Sequence, residues 1–267
     1  DSRNEIYLNR VAPIQISYLG YSSTMGTEFI DYIIADKFLI PKKSLKNYSE
    51  KVVYLPNSFY PCPKIMRVSN KEFTKKSLNL PEDSFIFGSF NNNYKITPDM
   101  FDIWMKILKK TKNSVLWLLS TNKTAVGNLK RRAESFNINQ NRIIFAEKLD
   151  NPEHLKRFCH MDLFLDTFPY NAHSTAVEAI KSEVPVLTIS GDSFASRVAG
   201  SLLTAINVKN LICKNFSDYT NKAIYYGNNK DEFLKLKKKF LKDNTKVLFD
   251  SNIYTKNLEK IYESLVK

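Results

Sequence analysis

Two hydrophobic periods alternate along this chain, and that alternation limits its fold more than any other feature. Short, continuous apolar runs of strand length fall at Ile14–Leu19, Ile30–Ala35, Val52–Leu55, Phe85–Phe90, Val115–Leu119, Arg142–Phe145, Leu163–Asp166 and Val186–Ile189. Because the runs are unbroken, they suit parallel strands covered on both faces. Helical patterns lie between them. The clearest starts at Thr97-Pro98, an N-cap residue followed by proline at the first helical position, and carries Phe101, Trp104, Met105 and Leu108 on one stripe. Others span 123–136, 152–159, 174–182, 193–205, 231–241 and 251–266. The last places Tyr254, Leu258, Ile261, Tyr262 and Leu265 on one face. Strand–helix repetition of this kind predicts a doubly wound α/β fold.

Pro56, Pro61 and Pro63 interrupt the pattern, and the stretch Ser69–Leu80 is polar with few apolar residues. The expected organisation is a short N-terminal α/β unit over 1–62, a connector over 63–80, a complete α/β domain over 81–245 and a C-terminal helix over 246–267.

The net charge of +13 raises the question of a polyanionic partner. The excess is mostly Lys scattered from Lys37 to Lys267, and the two local runs, Lys106–Lys112 and Lys235–Lys242, lie in helical patterns that read as solvated faces. No aromatic–basic stripe accompanies them, so a nucleic-acid partner is not expected. No apolar stretch of about 18 residues exists to span a membrane. The polar start, Asp1 to Arg10, lacks a signal peptide's apolar core, and without an initiator Met the sequence reads as a piece of a longer chain. Cys62, Cys159 and Cys213 form neither a CxxC nor an even set, which suits a reducing cytoplasm. His154, His160 and His173 cluster in sequence but lack the i, i+4 spacing of a zinc site, so no metal is expected.

Ligands of open α/β sheets bind outside the carboxyl ends of the strands. Four such ends carry polar groups here. Asn91-Asn92-Asn93-Tyr94-Lys95 follows one strand, and Ala146–Asn151 with His154 follows another. Thr167–Thr175 leads a third into a helix bearing Glu178, and Ser190-Gly191-Asp192-Ser193 leads the fourth toward Arg197. That inventory suits a nucleoside diphosphate: helix-start amides at Ser174 and Thr175 for phosphate, Lys95 as a point charge, and Glu178 as an acceptor for ribose hydroxyls. No Walker loop or GxGxxG occurs, which disfavours the P-loop and dinucleotide alternatives. Each residue also has an ordinary reading: an Asn cluster is a turn, a strand-end Lys is solvated, and a loop His is a capping residue.

Further motifs run in order along the chain. Val11-Ala12-Pro13-Ile14-Gln15-Ile16-Ser17-Tyr18-Leu19-Gly20-Tyr21, Phe29–Asp36, Tyr48-Ser49-Glu50-Lys51, Phe90–Ile96, Asn113–Leu119, Leu163–Thr167, Asn171–Thr175 and Ala195–Ala199 together resemble the protein O-GlcNAc transferases and their bacterial relatives. The resemblance implies a GT-B-type α/β fold: a complete Rossmann-like donor-binding domain plus part of an N-terminal α/β domain, with the C-terminal helix crossing back. It implies an inverting transfer of a sugar, GlcNAc in the family, from a UDP-sugar to protein Ser or Thr, with no cofactor. By the same resemblance Lys95 stabilises the UDP leaving group, and His173, Ser174 and Thr175 contact phosphates and sugar. His154 packs on uracil, Asn92 lies close to the donor, and Glu178 falls at a ribose-binding position where the family often has Asp.

There are departures. Ser22-Ser23-Thr24 replaces a Pro-Gly-Thr turn, and Asn151 stands roughly where the family has a lysine near the ribose. The family's upstream acceptor-side histidine motif and its helical repeats are not in this sequence. Transfer of glucose or another hexose to a different acceptor, and a non-catalytic UDP- or protein-binding module, stay open as alternatives.

Overall fold

A computed structural model describes residues 3–241 and 245–266, so Asp1, Lys267 and the Lys242 end of the second basic run lie outside it. A small parallel sheet comes first, from β1 (Ile16–Ser17), β2 (Tyr32–Ala35) and β3 (Lys51–Tyr54), in that order. The second sheet has six strands: β4 (Phe85–Ser89), β5 (Ser114–Leu119), β6 (Ile143–Ala146), β7 (Leu163–Leu165), β8 (Val186–Ile189) and β9 (Ile212–Cys213). All its pairings are parallel, and the order is β6-β5-β4-β7-β8-β9. The chain thus builds outward from β4 in one direction, then returns to start at β7 on the other side. β4 and β7 form the topological switch point, where an open α/β sheet leaves a crevice.

Each crossover of the large sheet carries helix. α1 (Pro98–Lys110) is capped by Thr97, whose side chain accepts from the Met100 amide, and buries Phe101, Trp104, Met105 and Leu108. α2 (Lys123–Ser135) is capped by Asn122. Asp150 caps α3 (Asn151–Arg157) by accepting from the Glu153 amide at 3.1 Å. α4 (Ser174–Lys181) and α5 (Val198–Ala205) pack together on the sheet, while α6 (Phe216–Asn228) packs against α1. α7 (Lys230–Leu241), α8 (Thr245–Leu248) and α9 (Ser251–Val266) complete the chain. None of the helices among the described residues is long and apolar enough to cross a membrane.

The core runs through this sheet and includes Trp104, Trp117, Phe87, Phe158 and Phe164, all fully buried. Gly88 in β4 is there for a packing reason: a Cβ at that position would overlap the Met161 side chain.

Several expected elements change in three dimensions. The run Ile14–Leu19 pairs only over Ile16–Ser17, because Gly20 at φ 120° turns the chain away and residues 18–27 become a loop. That loop is held by buried Glu50, which accepts from Thr24 Oγ1 at 2.7 Å and the Met25 amide at 2.5 Å. The helix expected over 193–205 is split by Arg197, at φ −125°, into a 3-10 turn and α5. The Arg197 guanidinium donates to Phe38 O and Gly191 O instead of letting the helix run through. Lys112 lies beyond the end of α1. β9 and α6 went unread in sequence: β9 is two residues long, and α6 buries only Tyr219 and Ala223.

The small sheet docks on α5 through one carboxylate. Asp36, 2% exposed, accepts from the amides of Phe38, Leu39 and Phe59 at 3.0, 2.8 and 3.1 Å and from Ser201 Oγ at 2.5 Å. Around it Ile33, Leu39, Ile40 and Phe59 pack with Phe194 and Val198. α9 returns to the same region, where Tyr254 Oη donates to Phe59 O at 2.8 Å. Removing a shared buried acceptor leaves its donors unsatisfied. Asp36→Ala is therefore expected to cost about 2–4 kcal/mol, read as a lowered urea midpoint; an unchanged midpoint would refute this view of the docking.

Candidate active site

The crevice at the β4–β7 switch point is built on Asp166, fully buried at the end of β7. Its carboxylate accepts from the Thr167 amide at 2.8 Å, the Ala172 amide at 2.6 Å and Thr188 Oγ1 at 2.6 Å. Burial nevertheless lifts this acid to about 7, against the pull of those donors and of the Lys95 charge. Both ends of the loop 167–172 are thereby tied to one side chain. Asn91, buried after β4, reaches across to donate to Thr167 Oγ1 at 3.1 Å, and that hydroxyl donates to Tyr170 O at 2.7 Å.

Lys95 approaches from the β4 side, at the end of a short 3-10 turn that Asn92 caps. Its Nζ donates to Asn171 O at 2.9 Å and sits 4.2 Å from the centroid of the Tyr170 ring. Burial pushes the ammonium below its ordinary range, and Asp166 opposes that shift. The Tyr170 ring is also stacked with His173 at 4.9 Å and 26°. Burial takes His173 down to about 4, the Lys95 charge adds to this, and a hydrogen bond to the Ala195 backbone works the other way. The imidazole is neutral at pH 7, with a buried Nε2 that has no hydrogen-bond partner among the described residues. Lys95 and His173, one from each side of the switch point, therefore share a single locus.

His173 is also the residue before α4, and its side chain does not cap that helix. The amides of Ala176 and Val177 turn back to His173 O, at 3.1 and 3.2 Å. Ser174 is exposed and Thr175 half-buried in the first turn. Tyr60, from the segment leaving the small sheet, reaches Ser174 with its hydroxyl. The positive end of α4 thus opens beside Lys95.

Further along α4, Glu178 meets the start of α3. Its carboxylate accepts from Asn151 Nδ2 at 3.2 Å and lies 3.8 Å from His154 Nε2. Burial raises Glu178, and the Asn151 bond moderates the rise. His154 is pushed down to about 4, first by burial and then by Arg157. It is neutral at pH 7, so its approach to Glu178 is not an ion pair, and 3.8 Å is too long for a direct hydrogen bond. Arg157 can only donate, and its Nη2 lies 2.5 Å from His154 Nδ1. The ring proton is consequently on Nε2, facing Glu178. The imidazole packs 5.1 Å from both Phe90 and Phe158.

All seven residues singled out from the sequence lie at the carboxyl edge of the large sheet. Asn92 is the most peripheral: exposed, it accepts from the Tyr94 amide at 3.5 Å. Sequence reading missed Arg157, Tyr170, Tyr60 and Asp166. Arg157 sat among many basic residues, and its burial at 1% exposure was not visible in a helical pattern. Asp166 could have been found, since a carboxylate closing an apolar strand has no solvent to face. A separate concavity of about 410 Å³ lies at the other end of α4, around Ile180, Lys181 and Phe249, away from these groups.

A six-stranded parallel sheet whose switch-point crevice faces a second, smaller parallel α/β unit is the GT-B type of architecture. The sequence profile of glycosyl transferase family 41 matches residues 1–67 and 62–258. Over 270 residues the chain is 35% identical to the probable UDP-N-acetylglucosamine–peptide N-acetylglucosaminyltransferase SEC of Arabidopsis thaliana, covering 98% of this chain and 27% of that protein. Identity is 24% over 378 residues with the UDP-N-acetylglucosamine–peptide N-acetylglucosaminyltransferase of Caenorhabditis elegans, covering 33% of it. A solved mutant of the Thermobaculum terrenum O-GlcNAc transferase superposes with a TM-score of 0.83 at 26% identity, over 96% of this chain and 49% of that one. The chain belongs to glycosyl transferase family 41 and spans about a quarter to a third of the length of these two curated relatives.

Neutral buried histidines leave a measurable trace. Imidazole ¹⁵N shifts of His154 and His173 are expected to titrate near pH 4. A depressed folded-state value means that protonation between about 6.5 and 4 favours the unfolded chain, so these two groups withdraw stability as pH falls through that window. Asp166, raised to about 7, acts in the opposite sense, so the stability effect is best read as the difference between wild type and His154→Gln. Titration of both rings near 6.5 would contradict the burial described here.

Proposed function

We propose that this chain is the donor-binding half of an inverting glycosyltransferase that moves a sugar, GlcNAc in the first instance, from a UDP-sugar to a Ser or Thr hydroxyl of a protein. The observation carrying this reading is the convergence of Lys95 and His173 beside the start of α4. A diphosphate resting there meets an ammonium, helix amides and the positive end of a helix dipole. His154, neutral and packed against the tilted Phe90 ring and edge-on to Phe158, offers its ring to the uracil, and Glu178 accepts from the ribose hydroxyls. The matching relatives, named for UDP-N-acetylglucosamine and peptide, support this donor and acceptor class.

In this reading residues 1–62 belong to the acceptor-side domain, 63–80 connect, 81–245 bind the donor and 246–267 cross back. Helical repeats present the protein acceptor in the longer enzyme, which works in a reducing cytoplasm with Cys62, Cys159 and Cys213 as free thiols. Neither nucleic acid nor membrane is among its partners.

The chemistry asks for stabilisation of negative charge as UDP departs. Lys95 supplies it from a partly desolvated position, where a fixed charge acts more strongly than in water. That role belongs to the transition state more than to the ground state. Lys95→Ala in the full-length enzyme is expected to lower kcat by about 10²–10³, while UDP affinity falls much less. Turnover assays set beside UDP calorimetry test this. Unchanged turnover would remove Lys95 from the mechanism, and a folded wild-type chain without measurable UDP affinity would defeat the donor assignment.

A further inference from the structure

One aromatic ring touches both groups placed here at the donor diphosphate. Tyr170 lies with its centroid 4.2 Å from Lys95 Nζ and 4.9 Å from the His173 ring. Its backbone is immobilised on both sides. Thr167 Oγ1 donates to the Tyr170 carbonyl at 2.7 Å, and two residues on the Ala172 amide is bound to Asp166 at 2.6 Å. The residue nonetheless remains 38% exposed. A large aromatic side chain on such a loop, in contact with a cation, needs an explanation.

Physical chemistry supplies one. The Lys95 ammonium sits on a four-carbon stem with many rotamers. A single bond to Asn171 O limits its distance from one atom but leaves its direction loose. A π face adds a second, broad electrostatic contact that favours a charged group partly removed from water. The same ring holds the His173 imidazole by stacking, so the two side chains are referred to one rigid plane. A space-filling residue of similar size would do neither.

We propose that Tyr170 is a positioning residue, whose ring holds the Lys95 ammonium and the His173 imidazole in fixed register so that both meet an incoming nucleoside diphosphate without rearrangement. This deepens the donor reading and rests on Lys95 facing the diphosphate. The requirement is for the aromatic face, so Phe serves in place of Tyr and Leu does not.

UDP calorimetry on the folded chain, with wild type, Tyr170→Phe and Tyr170→Leu compared from about pH 7 to about pH 10.5, tests the proposal. Phe is expected to bind UDP within about twofold of wild type, and Leu about five- to tenfold more weakly at neutral pH. Affinity of the Leu variant should also fade at lower pH on the alkaline side, because Lys95 has lost a contact that favours its protonated form. Among the described residues, the charged and titratable groups facing Lys95 are Asp166 from β7, His173 at the head of α4 and the Tyr170 hydroxyl itself. Asp166 and His173 are retained in the variants, and Phe and Leu both lack the hydroxyl, so a limb displaced between those two variants reports the aromatic face. A merely structural loss would lower affinity without moving that limb.

Leu binding UDP as wild type does, with the same alkaline limb, overturns the proposal. Should Leu fail to fold, the wild-type chain decides: the Lys95 ε-methylene protons must show the upfield ring-current shift of a group over an aromatic face. Wild type that binds UDP with ordinary Lys95 methylene shifts overturns the role of Tyr170 and leaves the donor reading standing. Wild type that does not bind UDP overturns both.

Discussion

Lys95 and Asn171 lie 76 residues apart in sequence and 2.9 Å apart in space. Everything at the site depends on that contact, which exists because β4 and β7 pair in one parallel sheet. Strand order reverses at this pair, with β5 and β6 on one side and β8 and β9 on the other. α1 packs with α6, and α4 with α5. The loops after β4 and β7 consequently diverge around a crevice instead of closing over one another. A polar ligand can reach two strand ends and one helix start there without crossing the core.

Keeping such a crevice ordered requires polar groups where solvent is scarce, and the chain manages this by saturating one acceptor. Asp166 gathers two amides and a hydroxyl, and its backbone carbonyl accepts from Tyr219 Oη at 3.0 Å. Tyr219 in turn accepts from Trp104 Nε1 at 3.2 Å. The floor of the site is thereby connected to the packing of α1 against α6. Asp36 plays the matching part between the small sheet and α5. In both places a single carboxylate converts several orphan donors into a rigid joint, which is the condition under which a buried polar network specifies one arrangement.

Electrostatics at the site follow from burial more than from charge pairing. Desolvation is the largest cause at Lys95, His154, His173, Asp166 and Glu178 alike. It favours the neutral form of each group. Two imidazoles near 4 remain flat, uncharged surfaces at pH 7. The ammonium that must stay charged is the one given an aromatic face, a carbonyl and a nearby carboxylate.

Local patterns in the amino-acid order were sufficient for much of this. Unbroken apolar runs located eight strands, because a parallel strand covered on both faces has nowhere to put a polar residue. Thr97-Pro98 marked the start of α1, since its capping is written within a few residues. Lys95, His173 and Glu178 were legible as polar groups at strand ends and helix starts. β9 and α6 were not legible, being short or weakly amphipathic, and the break at Arg197 was hidden because its partners, Phe38 and Gly191, belong to other elements. The order of the strands, the joining of the small sheet to α5 through Asp36, the tautomer that Arg157 imposes on His154, and the placement of Tyr170 against both Lys95 and His173 were decided only by tertiary structure. Each of those depends on groups far apart in the chain meeting at a few ångströms, and a local hydrophobic period carries no record of such meetings.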